Sequence, residues 1–122
     1  MSLYKNDRTA EDIKREITAI IRELKDPRVA GKMLTVVRVE LANDLSFGKV
    51  YISAFDSIET AKEAVKGLDR AQGLIRREIC SRLHLRKAPE LKFIADDSVR
   101  EGIELFRRYD MAKKDVKHED ND

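Results

Sequence analysis

The stretch from residue 59 to residue 87 constrains the fold most, because its apolar residues recur at steps of three and four. At about 100° per residue, this spacing puts them on one stripe of an amphipathic helix. The stripe consists of Ala61, Ala64, Val65, Leu68, Ala71, Ile75, Ile79 and Leu83. Gly67 and Gly73 interrupt the pattern, and each interior glycine costs a helix roughly 1 kcal/mol relative to alanine. We therefore predict two helices joined by a kink at Ala71, Gln72 and Gly73.

Positive charge is concentrated in and after this helix pair, although the net charge of the whole chain is +2. From residue 70 to residue 92 there are seven basic and two acidic residues. The basic residues are Arg70, Arg76, Arg77, Arg82, Arg86, Lys87 and Lys92. Arg70 and Arg77 lie opposite the apolar stripe, whereas Arg76 lies on its flank and Arg82 lies nearer the core. Such a cluster indicates either a surface for a polyanion or a solvated helix face.

Composition excludes several classes of protein. A chain of 122 residues predicts one domain, large enough for a core without disulfides, and its single cysteine excludes an internal disulfide. The chain has no apolar run of membrane-spanning length and no signal peptide, so we expect a cytoplasmic protein without a membrane partner. Neither His84 nor His118 has metal-ligand spacing to other residues, and no phosphate-binding or dinucleotide motif is present. We expect no metal, no cofactor and no enzymatic activity.

Outside the helix pair, periodicity predicts two more helices and three strands. The first helix covers residues 9–25, the strands cover residues 33–41, 47–55 and 91–95, and the last helix opens at Ser98. The core-facing side chains expected in the first strand are Thr35, Val37, Val39 and Leu41, and those of the last helix are Val99, Ile103 and Phe106. This order indicates an α+β fold with one domain over residues 1–108. Because the apolar periodicity stops after Asp110, we expect a charged, disordered tail over residues 109–122.

Four segments of the chain resemble the bacterial ribosome-binding factor A family. They are Glu-Leu-Lys-Asp-Pro-Arg-Val at residues 23–29, Leu-Ser-Phe-Gly-Lys-Val-Tyr-Ile-Ser at residues 45–53, Asp-Arg-Ala-Gln-Gly-Leu-Ile-Arg at residues 69–76 and Pro-Glu-Leu-Lys-Phe at residues 89–93. Their order and spacing match the family over residues 7–108. Several such segments together are far more specific than any one of them.

The resemblance implies a KH domain of type II, with the order helix-strand-strand-helix-kink-helix-strand and an added C-terminal helix. In most KH domains a Gly-x-x-Gly loop joins the two central helices and clamps the backbone of single-stranded RNA. Here Ala71-Gln72-Gly73 occupies that place, and this Ala-x-Gly kink marks the family. For Gly73 itself we favour a packing reason, in which the glycine lets the helices approach, over close approach of RNA to its backbone.

The resemblance also implies a function. Members of the family assist late maturation of the small ribosomal subunit, including processing of the precursor ends of its ribosomal RNA, and are linked to growth in the cold. The implied partners are that subunit and its RNA, together with ribosomal proteins and other assembly factors, and the protein would act as a monomer. The seven basic residues are then the expected RNA contacts. The alternative is a module that docks onto a ribosomal protein or an assembly factor through an apolar patch, for which Leu74 is a candidate member.

Overall fold

The computed structural model describes the backbone from Ser2 to Asp120 and the side chains of residues 8–98 and 100–112. The elements in chain order are α1 (Ser2–Glu23), β1 (Leu34–Leu41), β2 (Phe47–Ala54), α2 (Ile58–Arg70), α3 (Gln72–Leu83), β3 (Glu90–Ala95) and α4 (Ser98–Asp120). This order confirms the predicted α+β class and element sequence. The first helix begins before Thr9 and ends at Glu23 instead of Lys25. Among the described residues, no helix is long and apolar enough to cross a membrane.

The three strands form one sheet in the order β1-β2-β3. β1 is antiparallel to β2, and β2 is parallel to β3, so the chain needs a crossover that α2 and α3 supply. α1 packs on β1, and α2 packs on β2 and β3. The core between the helices and the sheet includes Ile13, Ile17, Ile20, Val36, Val50, Ile52, Leu68, Ile75, Ile79, Leu91 and Phe93.

A β-bulge at Val37 changes which side chains of β1 face the core. Val36 is buried and Thr35 is exposed, so the expected inward orientation of Thr35 is wrong, while Val37 at the bulge is half-buried. Beyond the bulge, Val39 and Leu41 pack against the core as predicted. An inserted residue shifts the alternation of side chains by one position, and sequence alternation alone does not reveal where the insertion lies.

The turn after α1 packs directly against α2. The Asp26 carboxylate accepts a hydrogen bond from the Arg28 backbone N–H at 2.9 Å, and the Asp26 carbonyl accepts from Val29 and Ala30. Val29 is buried, and a Cβ atom on Gly67 would lie 2.9 Å from its Cγ2 atom. Gly67 is therefore the position in the helix pair where close approach excludes a side chain.

α4 differs from the sequence expectation. Ile103 and Phe106 are 50% and 71% exposed, so their expected burial is wrong, while the Val99 side chain lies outside the described residues. The backbone is helical through Asp120, where a disordered tail was expected over residues 109–122. Glutamate, lysine, alanine and methionine favour helix locally, so a helix can extend here without burying a face in the core.

Candidate nucleic-acid interface

The kink between the two central helices lies at Ala71, which has φ −88° and ψ 8°. Its N–H lies 3.1 Å from the carbonyl oxygens of both Gly67 and Leu68, and its own carbonyl accepts from the Ile75 N–H at 2.9 Å. One helix therefore ends and the next begins around a single residue, with no loop between them. The predicted kink is confirmed.

Gly73 lies exposed in the first turn of α3. A Cβ atom at this position would meet no described atom within 4 Å, and the residue is not among those with positive φ. The packing reason expected for Gly73 is therefore wrong, because its space is open and its backbone conformation suits any residue. The glycine instead leaves this part of the α3 backbone bare on the solvent side.

The solvent side of α3 continues for the length of the helix. Its exposed residues are Gly73, Leu74, Arg77 and Ser81, and His84 is exposed directly after the helix. Ile75 and Ile79 are fully buried on the opposite side, which confirms the predicted placement of Arg77. The first turn of α3 contains no acidic residue, and no described side chain caps its N–H groups. The positive end of the helix dipole is thus not offset by a neighbouring carboxylate within that turn.

The loop of residues 84–89 follows α3 and carries two of the predicted cations. His84 adopts a left-handed conformation with φ 54°, and the Leu85 N–H donates to the Cys80 carbonyl at 3.0 Å, so α3 ends sharply. Arg86 and Lys87 are exposed in this 84–89 loop, whereas the two residues after them are buried. The loop therefore presents its two charged side chains to solvent from a fixed base.

Arg76 is half-buried and contacts this loop. Its Nη2 atom donates to the Ala88 carbonyl at 3.0 Å, and its Nε atom is buried without a hydrogen-bond partner in the described part of the chain. One turn earlier, the Gln72 Oε1 atom accepts from the Leu91 backbone N–H at 2.8 Å. The sequence predicts Gln72 only as part of the kink, and no local pattern signals its contact with β3.

Arg82 is engaged with acids of two helices. Its guanidinium lies 3.3 Å from Glu78 in its own helix, and 2.9 Å from Glu23 and 3.7 Å from Glu16 in α1. Burial alone would lower the pKa of Arg82, but the hydrogen bonds that it donates to Glu78 and Glu23 raise the pKa above its ordinary value. The side chain is 25% exposed, in agreement with its predicted position near the core. Its charge serves to join α3 to α1.

The remaining two predicted cations lie on other elements, α2 and β3. Arg70 is exposed at the end of α2, near the turn after α1. The side-chain hydrogen bond of Arg28 and, more weakly, the charge of Arg70 hold the pKa of Asp26 below its ordinary value. Lys92 alternates with buried neighbours on β3 and pairs with Lys49 of β2, so it lies on the sheet face away from the helices.

Arg77, Arg86 and Lys87 are thus exposed cations on α3 and on the loop that follows it, and we call them the basic patch. Arg76 bonds to the base of the loop, Arg82 pairs with α1, Arg70 lies at the end of α2 and Lys92 lies on the outer face of the sheet. Among the described residues, no group of three or more His, Cys, Asp and Glu side chains could hold a metal ion. The arrangement suits phosphate groups, since arginine and lysine donate to them and arginine can do so with two N–H groups.

The three-stranded sheet, its helices and the Ala-x-Gly kink define a domain of the type II KH class. The family model described as ribosome-binding factor A matches residues 5–107. The chain belongs to the ribosome-binding factor A family.

Individual relatives agree with this assignment. The chain is 41% identical over 110 residues to ribosome-binding factor A of Treponema denticola, which covers 88% of this chain and 83% of that protein. The crystal structure of ribosome-binding factor A from Thermus thermophilus superposes with a TM-score of 0.65 at 30% identity, and covers 74% of this chain and 93% of that one. A homology model of the Thermus thermophilus factor, fitted into a cryo-EM map of a 30S complex, gives a TM-score of 0.59 at 30% identity, and covers 72% and 91%.

Proposed function

We propose that this protein is a non-catalytic ribosome-binding factor that binds the ribosomal RNA of the small subunit during late maturation, including processing of the RNA precursor ends. The observation that carries the proposal is the basic patch, exposed on α3 and the 84–89 loop of a type II KH domain. The cryo-EM complex of the Thermus thermophilus relative supports the small subunit as the partner. The ribosome is also the partner named for the curated relatives.

The chemistry of the patch favours contact with the RNA backbone. Cations that neutralise phosphates release condensed counterions, which gives affinity without reading the base sequence. The bare backbone at Gly73 lies one turn before Arg77 on the same side of α3. A phosphate or sugar can therefore approach the helix closely at Gly73 while Arg77 donates to the same strand.

Differential binding supplies the mechanism. The protein would bind one conformation of the maturing RNA more tightly than the finished one, and it would leave when that conformation is no longer available. No bond in the RNA needs to be made or broken by the protein itself. It would act as a cytoplasmic monomer beside the ribosomal proteins and other factors that take part in assembly.

A second candidate function is docking onto a ribosomal protein or an assembly factor. Leu74 is 44% exposed beside the basic patch, and Met33 and Phe55 are 68% and 74% exposed. Met33 and Phe55 line a cavity of about 810 Å³ between the end of α1, the start of β1 and α4. Apolar contacts do not weaken as salt is raised, whereas phosphate contacts do.

Co-sedimentation with small ribosomal subunits at two salt concentrations tests the proposal. Immature subunits should retain more of the protein than mature subunits, and retention should fall steeply as the salt concentration rises. Equal binding to both kinds of subunit would contradict the mechanism of differential binding. Binding that persists at high salt would instead favour the docking function.

A further inference from the structure

We infer that Gln72 and Arg76 are positioning residues, which hold the 84–89 loop so that Arg86 and Lys87 meet RNA in a preformed arrangement. The inference rests on the proposed function, because it concerns the same basic patch. It adds two residues whose part in the interface is indirect. One of them, Arg76, was expected from the sequence to contact RNA itself.

The two side chains lie one turn apart on α3 and bind the main chain on both sides of Pro89. Gln72 Oε1 accepts from the Leu91 N–H at 2.8 Å, and Arg76 Nη2 donates to the Ala88 carbonyl at 3.0 Å. Ala88 and Leu91 are 4% and 3% exposed, so both bonded groups belong to buried residues. The base of the loop is therefore held from one side of a single helix.

The position of β3 explains why Gln72 is needed. β3 is an edge strand of the sheet, and alternate N–H groups of an edge strand have no neighbouring strand to bind. The Glu90 N–H donates to the Ser46 carbonyl at 3.0 Å, whereas the next N–H, that of Leu91, donates to Gln72. Gln72 thus takes the place of a missing strand where the loop enters the sheet.

Arg76 carries a sign of function beyond packing. Its buried Nε–H has no hydrogen-bond partner among the described residues, and an unpaired buried donor is unfavourable for stability. A neutral side chain could donate to the Ala88 carbonyl without this penalty. The guanidinium is nevertheless bonded to the carbonyl of Ala88, the residue directly after Arg86 and Lys87, which ties it to the base of the loop.

A double-mutant cycle in the full-length protein tests the inference. Gln72→Met keeps the length of the side chain but removes the acceptor, and Arg86→Ala/Lys87→Ala removes the two loop cations. Binding to small subunits should weaken about three- to tenfold in Gln72→Met, because an unheld loop must become ordered on binding. In the background without the loop cations, the same change at Gln72 should have no further effect, since Gln72 acts through them.

The outcomes separate the inference from the proposed function. Wild-type affinity in Arg86→Ala/Lys87→Ala would contradict RNA binding by the loop itself. Two outcomes would overturn the positioning role alone, and in both of them Arg86→Ala/Lys87→Ala loses affinity. In the first, Gln72→Met keeps wild-type affinity. In the second, Gln72→Met lowers the affinity by the same factor with and without the loop cations. Lower thermal stability without this coupling would show that Gln72 serves only the fold.

Hydrogen exchange provides a second measurement on the free protein. The Leu91 amide should exchange faster in Gln72→Met and remain protected in Gln72→Glu, whose carboxylate still accepts the bond. Equal protection in Gln72→Met and the wild type would overturn the inference. If Gln72→Met does not fold, Arg76→Met, which removes the other hydrogen bond, replaces it in the same cycle with the same expected coupling.

Discussion

Gly73→Ala should make the protein more stable and weaken its binding to RNA. The added methyl group meets no described atom within 4 Å, and the φ angle is not positive, so alanine fits without strain. Replacing a helical glycine by alanine stabilises a helix by about 0.5–1 kcal/mol. For a domain of this size, such a gain raises Tm by about 2–4 °C.

The expected loss of affinity follows from the same open space. If the RNA backbone contacts the helix at Gly73, the methyl group of the alanine takes up the space that the RNA would fill. Overpacking by one methyl group costs about 1–3 kcal/mol, which corresponds to affinity about 5- to 150-fold lower. Circular dichroism melting and co-sedimentation with small subunits measure the two effects on the same preparation.

Gly67→Ala is the matched control in the same helix pair. Its methyl group would lie 2.9 Å from Val29 Cγ2 and 3.3 Å from Asp26 Cγ, so Tm should fall while the folded protein binds normally. A stabilised Gly73→Ala protein with unchanged affinity would refute close approach of RNA at this point. A lower Tm in Gly73→Ala would refute the steric argument itself.

Three other changes test separate parts of the structure. Arg82→Met should lower the free energy of unfolding measured in urea, because it removes the link between α3 and α1. Its affinity for the small subunit should stay unchanged. A loss of affinity at unchanged stability would instead make Arg82 an RNA contact. The pKa of Asp26 is held below its ordinary value of 3.8 by the Arg28 hydrogen bonds, so its carboxylate stabilises the fold above that pH and loses this contribution as the pH falls through the lowered pKa. The stability of Asp26→Asn should therefore depend less on pH in acid than that of the wild type, and parallel acid titrations would contradict the role of this carboxylate. Phe106→Ala should change the free energy of unfolding by less than about 0.5 kcal/mol, as for a surface residue, and a loss of about 3–5 kcal/mol would show that Phe106 is buried as the sequence suggests.

Local periodicity was sufficient to predict the elements whose apolar residues form a continuous stripe. The 3–4 spacing that includes Ile75 and Ile79 predicts α3 and its exposed side, and the interrupting glycines predict a kink. The bulge at Val37 escaped this reasoning, because it changes the phase of the strand without a sequence marker. Periodicity also failed in α4, where an apolar stripe exists but the structure places Phe106 in solvent.

The parts of the interface that sequence reasoning missed depend on contacts between distant residues. Gln72 bonds to a residue 19 positions away, and Arg82 bonds to Glu23, 59 positions away. A charge pattern identifies Arg76 and Arg82 as basic but cannot show that one supports a loop and the other pairs with α1. The same limit applies to the two glycines, since only the fold shows that Gly67, rather than Gly73, lies against Val29.

The most direct test of RNA binding by the basic patch is the salt dependence of binding to small ribosomal subunits. The measurement compares the wild-type protein with Arg77→Glu and Arg15→Glu. Both substitutions change the net charge equally, but Arg77 belongs to the basic patch, whereas Arg15 is a 67% exposed residue of α1 paired with Asp12. We predict that Arg77→Glu lowers affinity and reduces the slope of log affinity against log salt by about 1, and that Arg15→Glu leaves both unchanged. Equal affinity and slope in all three proteins would contradict RNA binding by the basic patch.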